Sequence, residues 1–318
     1  MAETVLTISN LRVGIDTPRG TAYPVDGVDF ELHLGETLAL VGESGCGKSM
    51  TALALMQLIP EPAGFIESGE ALMDGQDLFD LTWEEMRLRR GKSLAMIFQE
   101  PMTSLDPTFS IGWTMKEALR VHGNQDDSLI ETALKRVGLD DVGRVLRSYP
   151  HELSGGMRQR IMIALALLHR PSVLIADEPT TALDVTVQAQ ILQLLKELHR
   201  QDGMAILLIT HDLAVVSGNA KRVAVMYAGQ IVEIGSVEEV FHQPRHPYTR
   251  GLLAGRPSRD SRGQKLGVIE GVVPGPTAWP TGCRFADRCP SRMDACSASI
   301  QMKSAHRDGL VRCILEDV

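Results

Sequence analysis

Residues 42–49 read Gly42-Glu43-Ser44-Gly45-Cys46-Gly47-Lys48-Ser49, and no other stretch constrains the chain as much. The spacing is G-x-x-x-x-G-K-[ST]. The apolar run 37–41 before it predicts a strand, and 49–58 after it predicts a helix. Such a turn brings backbone N–H groups around phosphate oxygens, and the helix N-terminus adds its dipole. Gly42, Ser44, Gly45, Cys46, Gly47 and Met50 are therefore expected to wrap a nucleotide's phosphates. Lys48 reaches the terminal ones, and the Ser49 hydroxyl is placed to ligate Mg²⁺.

A second acidic element, Val173-Leu174-Ile175-Ala176-Asp177-Glu178, reads as a buried strand that delivers two carboxylates at its C-terminal edge, where open α/β sheets bind ligands. Asp177 is expected to hold Mg²⁺ and Glu178 to polarise the attacking water. Phosphoryl transfer needs positioning and charge neutralisation more than covalent chemistry. Further short apolar runs at 93–98, 205–210 and 223–227 predict buried strands, and 157–168 and 185–200 predict helices between them, which gives a mainly parallel sheet covered by helices. Residues 6–13 and 27–34 alternate apolar and polar, as in an antiparallel accessory sheet. Residues 103–150 read as a more polar, helical insertion. From about residue 256 regular periodicity fades and four of the five cysteines appear.

The 318 residues are 44% hydrophobic and 23% charged, with a net charge of -8. These values exclude a disordered tail, a collagen repeat and a coiled-coil rod. An acidic chain that is only 4% aromatic lacks the basic footprint and stacking platforms of a nucleic-acid binder, so no nucleic-acid partner is expected. The start, MAETVLTISN, shows no targeting pattern. The longest strongly apolar stretches fall short of the roughly 20 residues that span a bilayer. A soluble, cytoplasmic chain is expected, with any membrane spans supplied by other chains.

Between the two phosphate elements lies Leu153-Ser154-Gly155-Gly156-Met157-Arg158-Gln159. Together with them it resembles the ATP-binding subunits of ABC transporters, whose signature is LSGGQ-like. Gln99 matches that family's Q-loop, Thr181-Ala182-Leu183-Asp184 its D-loop, and His211 its switch histidine. The resemblance covers about residues 5–250. It implies an α/β fold with a P-loop NTPase (RecA-like) core, an antiparallel β subdomain and a helical subdomain at about 103–165, all within residues 1–250. A small C-terminal cysteine-bearing module follows at 251–318. It also implies that ATP and Mg²⁺ are bound, with Glu178, His211, Gln99 and Lys48 catalytic. Gln99 would join Ser49 and Asp177 around Mg²⁺, and Ser154, Gly155 and Gly156 would reach the nucleotide of a second ATPase subunit. The family stacks adenine on an aromatic after the first strand. Here Gly14-Ile15 stands there, and Tyr23 is the nearest substitute.

His246-Pro247-Tyr248-Thr249, followed by Gly251-Leu252-Leu253, is similar to the oligopeptide/dipeptide importer subfamily, as are 98–107 and the cysteine tail. The chain looks like the D-type ATPase of such a system. The implied partners are a second, non-identical ATPase, two transmembrane permease subunits and an extracytoplasmic solute-binding protein. The implied location is peripheral, on the cytoplasmic face of the inner membrane. The alternative is a soluble ABC ATPase acting on ribosomes or DNA. Cys283, Cys289, Cys296 and Cys313 lack the tight C-x₂₋₄-C pair of structural zinc sites and miss the bacterial ferredoxin spacing. Zinc, an iron–sulfur cluster and plain thiols remain open on spacing alone. The resemblance points to a [4Fe–4S] cluster. Cys46 is read as incidental.

Overall fold

The computed structural model describes residues 3–99, 104–181, 183–255, 267–277, 279–305 and 307–315. In chain order its strands and helices are β1 (Thr4–Thr17), β2 (Gly20–His33), β3 (Thr37–Val41), α1 (Lys48–Leu55), β4 (Gly64–Met73), β5 (Gln76–Asp77), α2 (Trp83–Arg89) and β6 (Leu94–Ile97). Then come α3 (Ile111–Val121), α4 (Asp127–Arg136), α5 (Val142–Arg147), α6 (Gly155–Ala166), β7 (Val173–Asp177), α7 (Val185–Asp202) and β8 (Ala205–Thr210). The last are α8 (Leu213–Val216), β9 (Arg222–Tyr227), β10 (Gln230–Ser236), α9 (Val237–His242), α10 (Pro247–Ala254), β11 (Lys303–Ala305) and β12 (Gly309–Val311). The chain divides into two compact units, one of residues 1–5, 32–36 and 80–208, the other of 6–31, 37–79 and 209–318.

In the first unit β7 lies between β6 and β8, and β6 runs parallel to it in the register Leu94↔Val173 to Ile97↔Ala176. Every residue of β6 and β7 is buried. That explains why both read as unbroken apolar runs rather than as alternations. The helical stretch comprises α3 to α6. Ser110, Asp126, Asp141 and Ser154 each cap one of these helices with a side-chain oxygen. Those caps satisfy N–H groups that the helical ladder leaves open.

In the second unit β2, β1, β4 and β5 form a four-stranded sheet in that order. A further run has the order β11-β12-β10-β9-β3, in which β3 pairs parallel with β9 and β10 pairs antiparallel with β9 and β12. β1 and β2 extend well beyond the alternating segments at 6–13 and 27–34. β4, β5, β10, β11 and β12 are strands that the sequence pattern does not predict. β4 reads Gly-Phe-Ile-Glu-Ser-Gly-Glu-Ala-Leu-Met and is largely exposed. Its antiparallel pairing with β1, Thr7↔Leu72 to Ile15↔Gly64, and at its end with β5, makes it a strand. An aromatic core of Tyr227, Tyr248 and Phe285 joins α10 and the cysteine-bearing tail to β9, with ring centroids 4.5–5.4 Å apart. Among the described residues no helix is long and apolar enough to cross a membrane.

Candidate nucleotide site

The phosphate loop joins β3 to α1 as its spacing predicts. Gly47 caps α1 at φ 110° with no side-chain hydrogen bond, and the first ladder bond runs from the Thr51 N–H to the Gly47 carbonyl. The N–H groups of Lys48, Ser49 and Met50 are thus left outside the intrahelical ladder, where an anion can use them. Glycine is required at two positions by close approach. A Cβ on Gly42 would stand 2.1 Å from the Met226 carbonyl oxygen, and one on Gly47 2.1 Å from that of Pro24. Lys48 is buried, and its Nζ donates to the carbonyls of Gly42 at 2.8 Å and Glu43 at 3.1 Å. Burial pushes the Cys46 thiol upward, so Cys46 stays protonated and packs as a small apolar side chain.

Glu43 has two further anchors. Its N–H donates to the Tyr248 hydroxyl at 2.9 Å, and its carboxylate pairs with Arg288. The His246-Pro247-Tyr248-Thr249 motif builds the first of these anchors. His246 caps α10 by accepting from the Tyr248 N–H through Nδ1 at 3.1 Å, and Pro247 fills the first helical position. The backbone N–H groups of Arg245 and His246 donate to the buried Glu233 carboxylate. Together these contacts aim Tyr248 at the loop.

The first unit carries a second cluster. Asp177 ends β7 and is 3% exposed. Glu178 follows at φ 44°, a left-handed conformation that few non-glycine residues adopt. Its carboxylate accepts from Gln99 Nε2 at 3.1 Å and from the Thr181 hydroxyl at 2.9 Å. The two residues expected to act on water and γ-phosphate are therefore brought together at the C-terminal ends of adjacent parallel strands. Ser154 is exposed and caps α6 through the Met157 N–H at 3.3 Å. A Cβ on Gly156 would lie 3.1 Å from Val187 Cγ1 on α7, whereas one on Gly155 meets only an ordinary contact. Gln159, 1% exposed, donates to the Pro179 carbonyl at 2.5 Å. It ties α6 to the turn after Glu178, a role its position in the motif did not reveal. Asp184 caps α7. His211 is exposed directly after β8. Ala182 and residues 100–103 lie outside the described residues.

Tyr23 is partly committed. The Arg12 guanidinium lies 4.0 Å from its ring centroid, and its hydroxyl donates to Glu67 at 3.1 Å. At Gly14, where an aromatic was expected, the Phe65 ring fills the space: a Cβ there would stand 2.5 Å from Phe65 Cζ. Cross-strand neighbours of this kind cannot be read without knowing the β1–β4 register.

The tail cysteines are all free thiols. Burial chiefly, and then the proximity of Cys296, Cys289 and Cys313, pushes Cys283 up to about 11. Burial raises Cys289 as well, with Cys313 and Cys296 contributing. Among the described residues no group of three or more His, Cys, Asp or Glu side chains is gathered tightly enough to hold a single metal ion.

Two family models match the chain: "ABC transporter" over residues 25–181 and "Oligopeptide/dipeptide transporter, C-terminal region" over 232–296. The dipeptide transport ATP-binding protein DppD of Bacillus subtilis is 48% identical over 320 residues, covering 99% of this chain and 96% of that protein. The oligopeptide transport ATP-binding protein OppD of Escherichia coli is 46% identical over 302 residues, covering 94% and 89%. A solved ATP-binding cassette, a dimer in a post-hydrolysis state bound to ADP and phosphate, superposes with a TM-score of 0.64 at 26% identity, covering 73% of this chain and 98% of that one.

Proposed function

The chain belongs to the ABC transporter family of ATP-binding proteins, and from that premise we propose that it hydrolyses ATP to power peptide uptake through a partner membrane permease. The observation that carries the peptide reading is the second family match, to the C-terminal region of oligopeptide/dipeptide transporters, in a chain nearly half identical to a dipeptide transport ATP-binding protein over almost its whole length. The alternative of an ATPase acting on ribosomes or DNA draws no support from these matches or from the acidic balance.

The residue roles follow from the chemistry of each position. Lys48 and the α1 N-terminus bind the phosphates. Glu178, held by Gln99 and Thr181, orients and polarises water, and His211 contacts the γ-phosphate. The buried carboxylate of Asp177 and the hydroxyl of Ser49 are hard oxygen donors suited to Mg²⁺, with Gln99 beside them in role. Bound Mg²⁺ neutralises charge on the phosphates. Ser154, Gly155 and Gly156 serve a nucleotide held by a second ATPase subunit. Two permeases, a non-identical ATPase and an extracytoplasmic binding protein complete the system, with this chain peripheral on the cytoplasmic side. Deletion of the chain's gene should abolish peptide uptake and re-expression should restore it. Normal uptake without it would overturn the reading.

The tail is proposed to form a small module holding a [4Fe–4S] cluster through Cys283, Cys289, Cys296 and Cys313. The support is the number of cysteines in the tail and the match of residues 232–296 to the C-terminal region of oligopeptide/dipeptide transporters: a four-iron cluster takes one Cys per iron. Anaerobic preparations should contain iron and sulfide in near-equal amounts and absorb in the visible, and Cys289→Ser should bleach them. A colourless anaerobic preparation without iron would leave four ordinary thiols.

A further inference from the structure

Arg288 grips the phosphate loop with both arms of its guanidinium. Nη1 donates to Glu43 Oε2 at 2.7 Å and Nη2 to Oε1 at 3.1 Å. Nη1 also reaches the Tyr227 hydroxyl at 3.4 Å, Nη2 the Ile269 carbonyl at 3.2 Å, and Nε the Glu270 carbonyl at 2.9 Å. All five N–H donors of the group are therefore engaged. The side chain is 5% exposed and stands beside the rings of Tyr227 and Phe285. A guanidinium satisfied on every side has one orientation, unlike a surface ion pair that solvent can replace.

Glu43 is the second residue of the loop, and a carboxylate there opposes the loop's task. A nucleoside triphosphate brings several negative charges to the open N–H groups of Lys48, Ser49 and Met50, and an uncancelled carboxylate in the same loop would repel it. Three contacts act on this one residue: Arg288 on the carboxylate, the Tyr248 hydroxyl on the N–H, and Lys48 on the carbonyl. Arg288 itself closes the turn Ala286–Arg288, bracketed by Cys283 and Cys289. The cysteine-bearing tail thus reaches into the phosphate loop of its own chain.

We propose that Arg288 is a positioning residue for nucleotide binding, which cancels the Glu43 charge and fixes the entrance of the phosphate loop. The proposal rests on the reading of residues 42–49 as the ATP site. It explains why a loop that binds anions tolerates a carboxylate, and it gives the tail a task at that site.

The test is equilibrium binding of ATP and ADP to the full-length chain and to Arg288→Ala, Glu43→Gln and the double variant. Arg288→Ala should weaken ATP about ten-fold and ADP less, because the effect is one of charge. In the double variant the loss should shrink to within about three-fold of Glu43→Gln alone, since no carboxylate remains to repel the ligand. Unchanged ATP affinity in Arg288→Ala would overturn the proposal. So would a loss that persists undiminished in the double variant, which would mean that Arg288 only supports the tail. Glu43→Gln decides independently if Arg288→Ala fails to fold. Its amide oxygen can still accept from the guanidinium and so keep the entrance held, while the cation is no longer cancelled, so it should bind ATP about three-fold more tightly; unchanged or weaker binding would overturn the idea. Failure of the unmodified chain to bind ATP would instead sink the reading of the loop.

Discussion

Glu178 occupies a left-handed backbone conformation at φ 44°, and such outliers concentrate where function requires them. Gln99 and Thr181 fix its carboxylate. Glu178→Gln keeps the shape and removes the charge. In the assembled transporter it should lower steady-state ATP turnover at least about a hundred-fold, the scale of a lost general base, with ATP affinity retained. Near wild-type turnover would disprove the assigned role. Lys48→Ala should act on the other quantity and weaken nucleotide binding itself. Tyr23 and Phe65 are competing surfaces for the adenine. Tyr23 already carries Arg12 near one face, whereas Phe65 covers Gly14 and is 36% exposed. If Tyr23 stacks on the base, Tyr23→Ala should cost roughly 1–3 kcal/mol of ATP affinity, as base–aromatic stacking does elsewhere, and Phe65→Ala should not. The reverse pattern in binding titrations would transfer the role to Phe65.

At the scale of the element, α10 depends on a neutral histidine. Burial pushes the His246 imidazole down to about 3, and its Nδ1 caps the helix. The folded state holds its proton less tightly than the unfolded chain, whose value is near 6.5. This contribution is complete above pH 6.5 and is lost as pH falls toward 3, at up to about 1.4 kcal/mol per pH unit. Denaturation midpoints measured between pH 7.5 and 5 should fall steeply for the wild type and less so for His246→Asn, which keeps a cap but does not titrate. Parallel profiles would show that another group controls acid sensitivity. The phosphate loop is rigid for a different reason. Gly47 combines a positive φ with a backbone carbonyl 2.1 Å from any added Cβ, so Gly47→Ala requires Pro24 to move and should abolish ATP binding, read by titration.

For the molecule as a whole, phosphate-binding and signature elements in one chain do not by themselves make a complete catalyst. Ser154 is exposed at the start of α6, and under the proposed arrangement it serves a partner's nucleotide. The isolated monomer should hydrolyse ATP slowly, and adding the second ATPase and the permeases should raise turnover. Full activity from a sample shown to be monomeric by light scattering would contradict the composite site. The Arg288–Glu43 bond adds a long-range consequence. Disturbing the cysteine-bearing tail should reach ATP affinity through a single guanidinium.

The sequence by itself determined the phosphate loop, the acidic strand end, the signature helix and the buried strands around them. Each depends on local spacing, and a strand buried on both faces announces itself as an apolar run. It also placed Gln99 and Glu178 at strand ends, although only the β6–β7 register put Gln99 Nε2 within 3.1 Å of that carboxylate. The tertiary structure alone decided what the polar, glycine-rich β4 would become, because pairing with β1 makes that strand. It decided that Phe65 covers Gly14. It also decided that Arg288, far along the chain in a tail without periodicity, closes on Glu43. Ion pairs between residues so distant in sequence leave no period or motif, since their energy depends on distance in space and on burial, and chain separation enters neither.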